Sequence, residues 1–527
     1  MAGTESRARR SAGDTRSRSN GSSGDGPRRA RKAGSGRRGG LGSALGWTAL
    51  GTVVPGAGLL RGGRRVSGLI ALILFLAGLG GVAYLALAPG QALTLLTDIS
   101  VLRFASLGLV GLGLAWAGLT VATYWSLAPQ RLSGAGRGLA AVVVALLAFA
   151  VTAPSLVGAQ YALSSAQVLS TVFRQGQGSV TVPTFAPGDN GDPWGNKPRL
   201  NVLFLGYDRG IGRTEDTGGL TDTIMLASID TASGNTVLVS VPRETAKMPF
   251  PDDSPLSQEF DGCGWYDCYN PLNPAFYLNS MYLTLPMYVD PDIIGPTSDL
   301  GADAMKLSVG EALGQKIDYY VLVNIDGATD LVDAIGGITV NINKELPKEP
   351  IELGYFEPGP DQHLNGGDAL QYARSRKYDD DFQRNGRQRC VVKAILDQAD
   401  PAILLTRYEA IAAASSDMIR TDIPATLIAP LFDLVLKVKQ QGVISGLGFV
   451  DGYGFMQTNP DFQLMAERVA QAIAESTATA SVDPNQSADP GAADPGVTDP
   501  GAETSLDSVT ALSVNQNLDD FCAYHPE

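Results

Sequence analysis

Three long apolar stretches constrain this chain more than any other feature of its sequence. Each holds enough consecutive apolar residues to cross about 30 Å of hydrocarbon, and they lie at about 66–89, 102–128 and 138–161. A fourth stretch, 45–60, is shorter and is interrupted by Pro55 and several glycines. We therefore expect residues 41–161 to form a helical membrane region, whose simplest interpretation is an anchor.

The distribution of positive charge predicts how this region is oriented. Residues 1–40 carry eleven Arg and Lys against three Asp and Glu, lack apolar periodicity, and are predicted to be a disordered cytoplasmic tail. Segment 45–60 lies between this tail and a second basic group, Arg61, Arg64 and Arg65. Since positive charge favours the cytoplasmic side, both ends should lie there, which makes 45–60 interfacial or re-entrant. Three spans then place all residues after 161 outside the cytoplasm. If 45–60 were a fourth span, those residues would lie in the cytoplasm.

Composition excludes several kinds of chemistry. The net charge is −14 in spite of the basic tail, so the remainder is acidic, which argues against nucleic acid as a partner. The chain has two histidines, His363 and His525, so a histidine base or histidine metal ligands are not expected. A metal held by carboxylates would be a hard cation such as Mg²⁺.

The four cysteines suggest disulfides in an exported domain. Cys263 and Cys268 are close in sequence, and pairing them leaves Cys390 with Cys522, which would hold the C-terminal tail. The alternative is four buried free thiols.

The sequence after the membrane region alternates strand and helix patterns, which predicts an α/β domain around a central sheet. The expected divisions are a linker at 162–198, the domain at 199–475, an Asp-Pro-Gly spacer at 476–505 and a C-terminal tail at 506–527. Strands are predicted over NVLFLG, TIMLASID, TVLVSVPR, DYYVLVNI and GITVNI. Helices are predicted at 300–315, 326–337, 366–375, 385–400, 403–418, 422–440 and 460–475, with a long loop at 248–298.

The order of the first strands predicts a site. Asp208 ends the first strand, Asp222 begins the second, and Arg243 ends the third, so all three should meet at one edge of the sheet. Two neighbouring carboxylates repel unless a cation lies between them, and Mg²⁺ would also bind phosphate oxygens. Alternatively, the two aspartates are ordinary turn residues.

A second cluster is the segment ALQYARSRKYDDDFQRNGRQRC, which is basic within an acidic domain. On a helix, Arg384, Arg387 and Gln388 share one face, and arginine suits bidentate phosphate contacts. The alternative is a solvated face paired with neighbouring aspartates. The chain lacks the GxxxxGK[ST] and GxSxG motifs, which argues against a P-loop nucleotidase and a serine hydrolase.

At these residues the sequence resembles the LytR-CpsA-Psr family of bacterial cell-wall proteins. The matching elements are NVLFLGYD, TDTIMLASID, VSVPRET, NIDGATDLVDAIGGITV, LNGGDALQYARSRK and DDDFQRNGRQRC, in the family's order. The resemblance implies a three-layer α/β/α extracytoplasmic domain with a mixed central sheet and an apolar tunnel for lipid. It also implies transfer of a glycopolymer from a polyprenyl-pyrophosphate carrier to peptidoglycan, with release of polyprenyl phosphate.

The resemblance assigns roles to individual residues. Asp208 and Asp222 resemble the Mg²⁺ ligands, and Arg243, Arg374 and Arg376 resemble the arginines that bind pyrophosphate. Substrate contacts are expected from Arg384, Arg387 and Gln388. The chain departs from the family at Leu220, where an arginine is frequent and Arg213 could supply the charge, and at Glu244, where the usual residue is aspartate.

Two other functions are compatible with the same site. A polyprenyl-pyrophosphate hydrolase would place water where the acceptor hydroxyl lies, and a non-catalytic lipid-binding regulator would use the site without turnover. A carboxylate such as Asp222, or one of Asp379, Asp380 and Asp381, is the expected general base.

Overall fold

The structure of the protein is a computed structural model, and it describes most of the chain between residues 40 and 525. The described ranges are 40–87, 95–96, 98–172, 179–183, 192–208, 219–260, 263–265, 273–375, 381–398, 419–449, 455–480 and 516–525. The predicted helix at 403–418 lies outside them.

Three described helices are long and apolar enough to cross a membrane. They are α3 (Arg65–Leu87), α4 (Ile99–Leu127) and α5 (Gly134–Val172), and they lie over the three predicted spans. Helix α5 continues eleven residues past 161, so the predicted linker begins later than 162. At about 1.5 Å per residue, α5 is roughly twice as long as the hydrocarbon is thick.

The first apolar segment folds back on itself. It forms α1 (Leu41–Val53) and the short α2 (Ala57–Arg61), separated by a turn in which Gly56 has φ +96°. The Arg61 guanidinium lies 5.7 Å from the Trp47 ring, so the end of the segment returns to its beginning. Each helix is shorter than a membrane span.

The soluble domain is built on a seven-stranded mixed sheet. Its order is β11-β10-β3-β2-β1-β4-β9, in which β1 pairs parallel with β4 and antiparallel with β2. These strands are β1 (Arg199–Asp208), β2 (Leu220–Asp230), β3 (Thr236–Ser240), β4 (Tyr319–Asn324), β9 (Ile419–Thr421), β10 (Ile444–Gly448) and β11 (Gln516–Asn517). Because β1, β3, β4 and β10 run the same way, their carboxyl ends share one edge, where open α/β sheets bind ligands.

Helices cover both faces of this sheet, because the apolar residues of its strands alternate between the faces. Leu203 and Leu226 pack with α8 (Leu300–Leu313) and α13 (Phe462–Ala480) on one face. Met225 packs on the other face, with α12 (Ile428–Gln441) and the C-terminal tail. The expected three-layer α/β/α fold is therefore confirmed.

The remaining described elements complete the domain. They are α6 (Pro255–Glu259), α7 (Leu278–Thr284), α9 (Ile325–Ile335), β5 (Ile338–Ile342), β6 (Leu346–Pro347), β7 (Tyr355–Phe356), β8 (Gly359–Leu364), α10 (Gly366–Arg374), α11 (Asp381–Gln398) and α14 (Leu518–Phe521). Helices α6 and α7 lie within the predicted loop at 248–298. Strand β5 pairs with β8, outside the main sheet.

Two predicted boundaries near the C-terminus were wrong. The helix expected at 422–440 begins at Ile428, because 419–421 pair with β4 and Pro424 disfavours a helical residue before it. Helix α13 extends to Ala480, so the spacer begins after 476.

The C-terminal tail packs back on the domain. Strand β11 pairs with β10, Leu518 is fully buried, and a disulfide joins Cys522 to Cys390 of α11. Cys263 is also disulfide-bonded; its predicted partner Cys268 lies outside the described residues.

Among the described residues, a small apolar contact joins the soluble domain to the membrane helices. Ala425 and Ile428 pack against a small apolar cluster formed by α4 and α5, whose members are Ile99, Leu102, Ala162, Ala166 and Leu169. Strand β9 runs antiparallel to β4 and leads away from its carboxyl end. The contact that follows β9 therefore lies at the opposite edge of the sheet from Asp208.

Candidate active site

The two predicted carboxylates are brought together by the pairing of β1 and β2. Asp208 is paired with Leu220, and the register shifts between Gly206 and Tyr207, so that Asp222 has no partner residue in β1. Such an extra residue is a β-bulge, which re-aims side chains and is frequent beside active sites. Both aspartates thus lie at the predicted edge of the sheet.

Arg243 reaches this edge from the segment after β3. Its Nη1 forms a salt bridge with Oδ1 of Asp222, and its Nη2 lies 3.1 Å from Oε1 of Glu244. The Arg243 carbonyl accepts a hydrogen bond of 2.8 Å from the backbone N–H of Asn279, which fixes the backbone here. Glu244 therefore shares the guanidinium with Asp222.

Arg374 binds the other carboxylate. It is the last residue of α10, and its Nη2 lies 2.6 Å from Oδ2 of Asp208. The Arg374 side chain is 48% exposed and that of Asp208 is 20% exposed, so the pair is open to a ligand. Two acid–arginine pairs, Arg374–Asp208 and Asp222–Arg243, thus stand side by side at the strand ends.

Arg387 supports the helix that carries Arg374. Its Nε donates a 3.0 Å hydrogen bond to the Tyr372 carbonyl and its Nη2 donates to the Ser375 carbonyl. The guanidinium also lies 5.8 Å from the Tyr372 ring. Because these carbonyls flank Arg374, Arg387 holds the end of α10; its predicted contact with substrate remains a prediction.

The other predicted residues of α11 are buried. Arg384 and Gln388 are 3% and 8% exposed. Arg389, which lies in the same basic segment, is 1% exposed and donates a 3.2 Å hydrogen bond to Ser240 at the end of β3. Burial lowers the pKa of Arg389 to about 10. Arg389 therefore connects α11 to the strand that precedes Arg243.

Four residues with predicted roles cannot be placed. Arg213, Arg376, Asp379 and Asp380 lie outside the described residues, and so does the side chain of Asp381. Leu220, the departure from the family pattern, lies directly opposite Asp208.

The donor set suits a hard cation. Among the described residues no group of three or more acidic, histidine or cysteine side chains converges. Magnesium, however, is commonly bound by one or two carboxylates together with waters and substrate phosphates. Asp208 and Asp222 supply two carboxylates, and the arginines beside them suit phosphate. Asp208 and Asp222 therefore fit a cation that arrives with a phosphorylated ligand.

An α/β/α domain with paired aspartates and arginines at the carboxyl edge of its sheet is what the family resemblance implied. Residues 187–446 match the LytR_cpsA_psr family, so this part of the chain is a domain of that family. The expected resemblance is thereby confirmed.

Individual relatives extend the match. The chain is 30% identical over 227 residues to the polyisoprenyl-teichoic acid–peptidoglycan teichoic acid transferase TagU of Halalkalibacterium halodurans, covering 42% of this chain and 61% of that protein. It is 27% identical over 236 residues to TagV of Bacillus subtilis, which bears the same transferase description, covering 44% and 51%. It is 29% identical over 261 residues to biofilm regulatory protein A of Streptococcus mutans, covering 48% and 56%. The match thus spans between half and two thirds of these relatives.

Solved structures also align with the chain. The crystal structure of B. subtilis TagV aligns with a TM-score of 0.37 and 23% identity, over 53% of this chain and 97% of TagV. A structure of TagT bound to LIIa-WTA aligns with a TM-score of 0.38 and 18% identity, over 58% and 98%.

Proposed function

We propose that this protein transfers a glycopolymer from a polyprenyl-pyrophosphate carrier to a hydroxyl of peptidoglycan, releasing polyprenyl phosphate. The observation that carries the proposal is the presence of two arginine–aspartate ion pairs, Arg374–Asp208 and Arg243–Asp222, at the carboxyl edge of the sheet. Family membership and relatives described as teichoic acid transferases support it.

The proposed reaction is a displacement at phosphorus. The acceptor hydroxyl oxygen attacks the phosphorus bonded to the sugar, and the bond from that phosphorus to the bridging oxygen breaks. Polyprenyl phosphate leaves with the electron pair, and the hydroxyl proton passes to a base. The products are a phosphodiester on peptidoglycan and the lipid monophosphate.

The residues of the chain act mainly by binding charge. Arg374 and Arg243 would bind pyrophosphate oxygens, exchanging carboxylate partners for phosphate, and would stabilise the charge that develops on the leaving group. Asp208 and Asp222 would hold Mg²⁺, which supplies Lewis-acid stabilisation of phosphate oxygens. A carboxylate that does not hold the cation, such as one of Asp379, Asp380 and Asp381, would accept the hydroxyl proton.

We further propose that the protein is a multi-pass membrane protein with its large domain outside the cytoplasm. The three apolar helices and the basic residues before α3 support this orientation. The disulfide between Cys390 and Cys522 supports it too, because such bonds persist in oxidising compartments.

The proposal is tested with the full-length protein in detergent, a lipid-pyrophosphate-linked glycopolymer and purified peptidoglycan. We expect polymer to become covalently attached to peptidoglycan with polyprenyl phosphate as the second product, and we expect EDTA to abolish attachment and Mg²⁺ to restore it. Release of free polymer without attachment would show a hydrolase instead. Substrate binding without any turnover would show a binding protein.

A further inference from the structure

A loop beside α10 exposes apolar side chains that the fold of the domain does not require. Ile351, Leu353 and Tyr355 are 42%, 59% and 41% exposed. They lie in the short hairpin formed by β6 and β7, whose connection contains a 3₁₀ turn at Ile351–Leu353. We call residues 351–355 the hairpin tip. Clustered exposed apolar groups on a soluble surface commonly mark an interaction site.

The base of this hairpin is firmly held. Lys348 Nζ lies 2.8 Å from Asp368 Oδ1 and 4.7 Å from the Phe356 ring. Phe356 is 4% exposed and its ring packs edge-on against Tyr372. The tip is therefore presented on a rigid support, which lowers the entropy lost when a partner binds.

The hairpin also adjoins the candidate active site. The backbone N–H of Glu349 donates a 3.0 Å hydrogen bond to the Gln371 side chain. Gln371 and Arg374 are three residues apart on α10, about 4.5 Å along the helix axis. A ligand that extends from the arginine edge can thus reach the hairpin tip.

The position of the hairpin favours a partner on the side away from the membrane. The membrane helices contact the soluble domain through Ala425 and Ile428, at the opposite edge of the sheet from Asp208. Strand β1 has ten residues, so the two edges are separated by roughly 30 Å. The hairpin is fixed to α10, whose last residue binds Asp208, and it therefore belongs to the far edge.

The charge of the hairpin disfavours an anionic partner and is compatible with an uncharged one. Residues 344–361 contain two lysines against five acidic residues. This excess repels anionic lipid headgroups and phosphate-rich polymers. Sugar rings present an apolar C–H face that suits tyrosine and aliphatic side chains, while their hydroxyls can donate to carboxylates such as Glu352.

From these observations we propose that the hairpin tip binds the uncharged sugar strand of the acceptor and holds it next to Arg374. This inference rests on the proposed function for the identity of the acceptor as peptidoglycan. It assigns the tip to the acceptor and leaves donor binding to the arginine edge.

The test measures acceptor and donor binding separately. Full-length Leu353→Ser/Tyr355→Ser is compared with wild type and with a matched control, Val180→Ser/Met456→Ser, which changes two residues that are 55% and 56% exposed. We expect the tip variant to sediment with purified peptidoglycan about fivefold less well, a loss typical of removing a few contact side chains. Its KM for peptidoglycan should rise similarly, with KM for the lipid-linked donor and kcat unchanged. Tyr355→Phe, which keeps the ring, should bind as wild type does.

Several outcomes would overturn the inference. Wild-type sedimentation and acceptor KM in the tip variant would show that the tip does not bind peptidoglycan. An increase in donor KM alone would assign the tip to the donor or the membrane surface, and an equal loss in the Val180/Met456 control would show non-specific adhesion. Arg374→Ala distinguishes the proposed transferase function from acceptor binding by the hairpin tip. This variant should lose transfer activity and still sediment with peptidoglycan. If wild type sediments but never transfers, the proposed function fails and the binding surface stands.

Discussion

Nη2 of Arg374 lies 2.6 Å from Oδ2 of Asp208, although 166 positions separate the two residues in sequence. The contact joins the end of α10 to the end of β1. It places an arginine directly beside a predicted metal ligand, with half of the arginine side chain open to solvent.

We expect Arg374→Ala to lower kcat/KM for transfer by about 10²–10³-fold, the usual loss when one donor to a developing anion is removed. Arg374→Lys should recover only part of this, since lysine keeps the charge without the bidentate fork. The measurement is the initial rate of polymer attachment. Equal rates for wild type and Arg374→Ala would exclude a catalytic role for this residue.

Arg387 should act through Arg374. We expect Arg387→Lys to weaken transfer by about tenfold, because one ammonium cannot hold both carbonyls that Arg387 binds. In an Arg374→Ala background, the same change should have little further effect, which a double-mutant cycle measures.

A matched control for Arg387 is Arg199→Lys. Arg199 also donates to a backbone carbonyl, that of Ser228, at 2.7 Å, but it lies at the start of β1. Arg199→Lys should lower the stability of the domain without lowering the rate of polymer transfer. Additive effects of Arg374→Ala and Arg387→Lys would instead support the original prediction that Arg387 binds substrate directly.

The buried ion pair of Lys306 and Asp422 gives a prediction about stability. The two side chains are 1% and 2% exposed, and Nζ lies 2.5 Å from Oδ2. Lys306→Met should cost about 3–5 kcal/mol, since it leaves a buried carboxylate without its cation. Adding Asp422→Asn should restore part of this loss. Denaturant unfolding measures the stability of the single and the double variant. If the losses caused by Lys306→Met and Asp422→Asn simply add, the unpaired carboxylate does not explain the loss.

The same pair predicts a dependence on pH. Burial raises the pKa of Asp422, while Lys306 opposes the shift, so Lys306→Met should raise the pKa further. A carboxyl with a raised pKa in the folded state stabilises the fold at low pH, and that contribution is lost as pH rises through the folded-state pKa. The free energy of unfolding of Lys306→Met should therefore come closer to that of wild type as the pH falls from 7 to about 4. If the difference between the two free energies stays constant over this range, Asp422 is not its cause.

Removing the Cys390–Cys522 disulfide should destabilise the domain. The bond closes a loop with a sequence separation of 132, for which loop-closure entropy predicts a loss of about 2–5 kcal/mol. Cys390→Ser/Cys522→Ser should therefore unfold at lower denaturant concentration, and reduction of wild type should have the same effect. Unchanged unfolding would mean that the noncovalent contacts of Leu518 and Phe521 hold the tail by themselves.

The sequence predicted the layers of the domain well, because strand and helix periodicities are local. The sequence did not predict the strands that form only by pairing with segments distant in sequence. Strand β9 has three residues, which is too short for a pattern, and it exists because it pairs with β4. Strand β10 became visible only through its parallel pairing with β3.

By itself, the sequence determined three apolar spans, an α/β domain and a set of acidic and basic residues suited to phosphate, since composition and periodicity carry that information. Tertiary structure decided which of these residues meet. The bulge at Asp222, the pairing of Arg374 with Asp208 and the burial of Arg387 against two carbonyls depend on contacts between segments far apart in sequence. The packing of α10 and α11 on the sheet gives the two arginines different roles. It leaves Arg374 open to a ligand, whereas Arg387 is buried and holds the backbone beside Arg374.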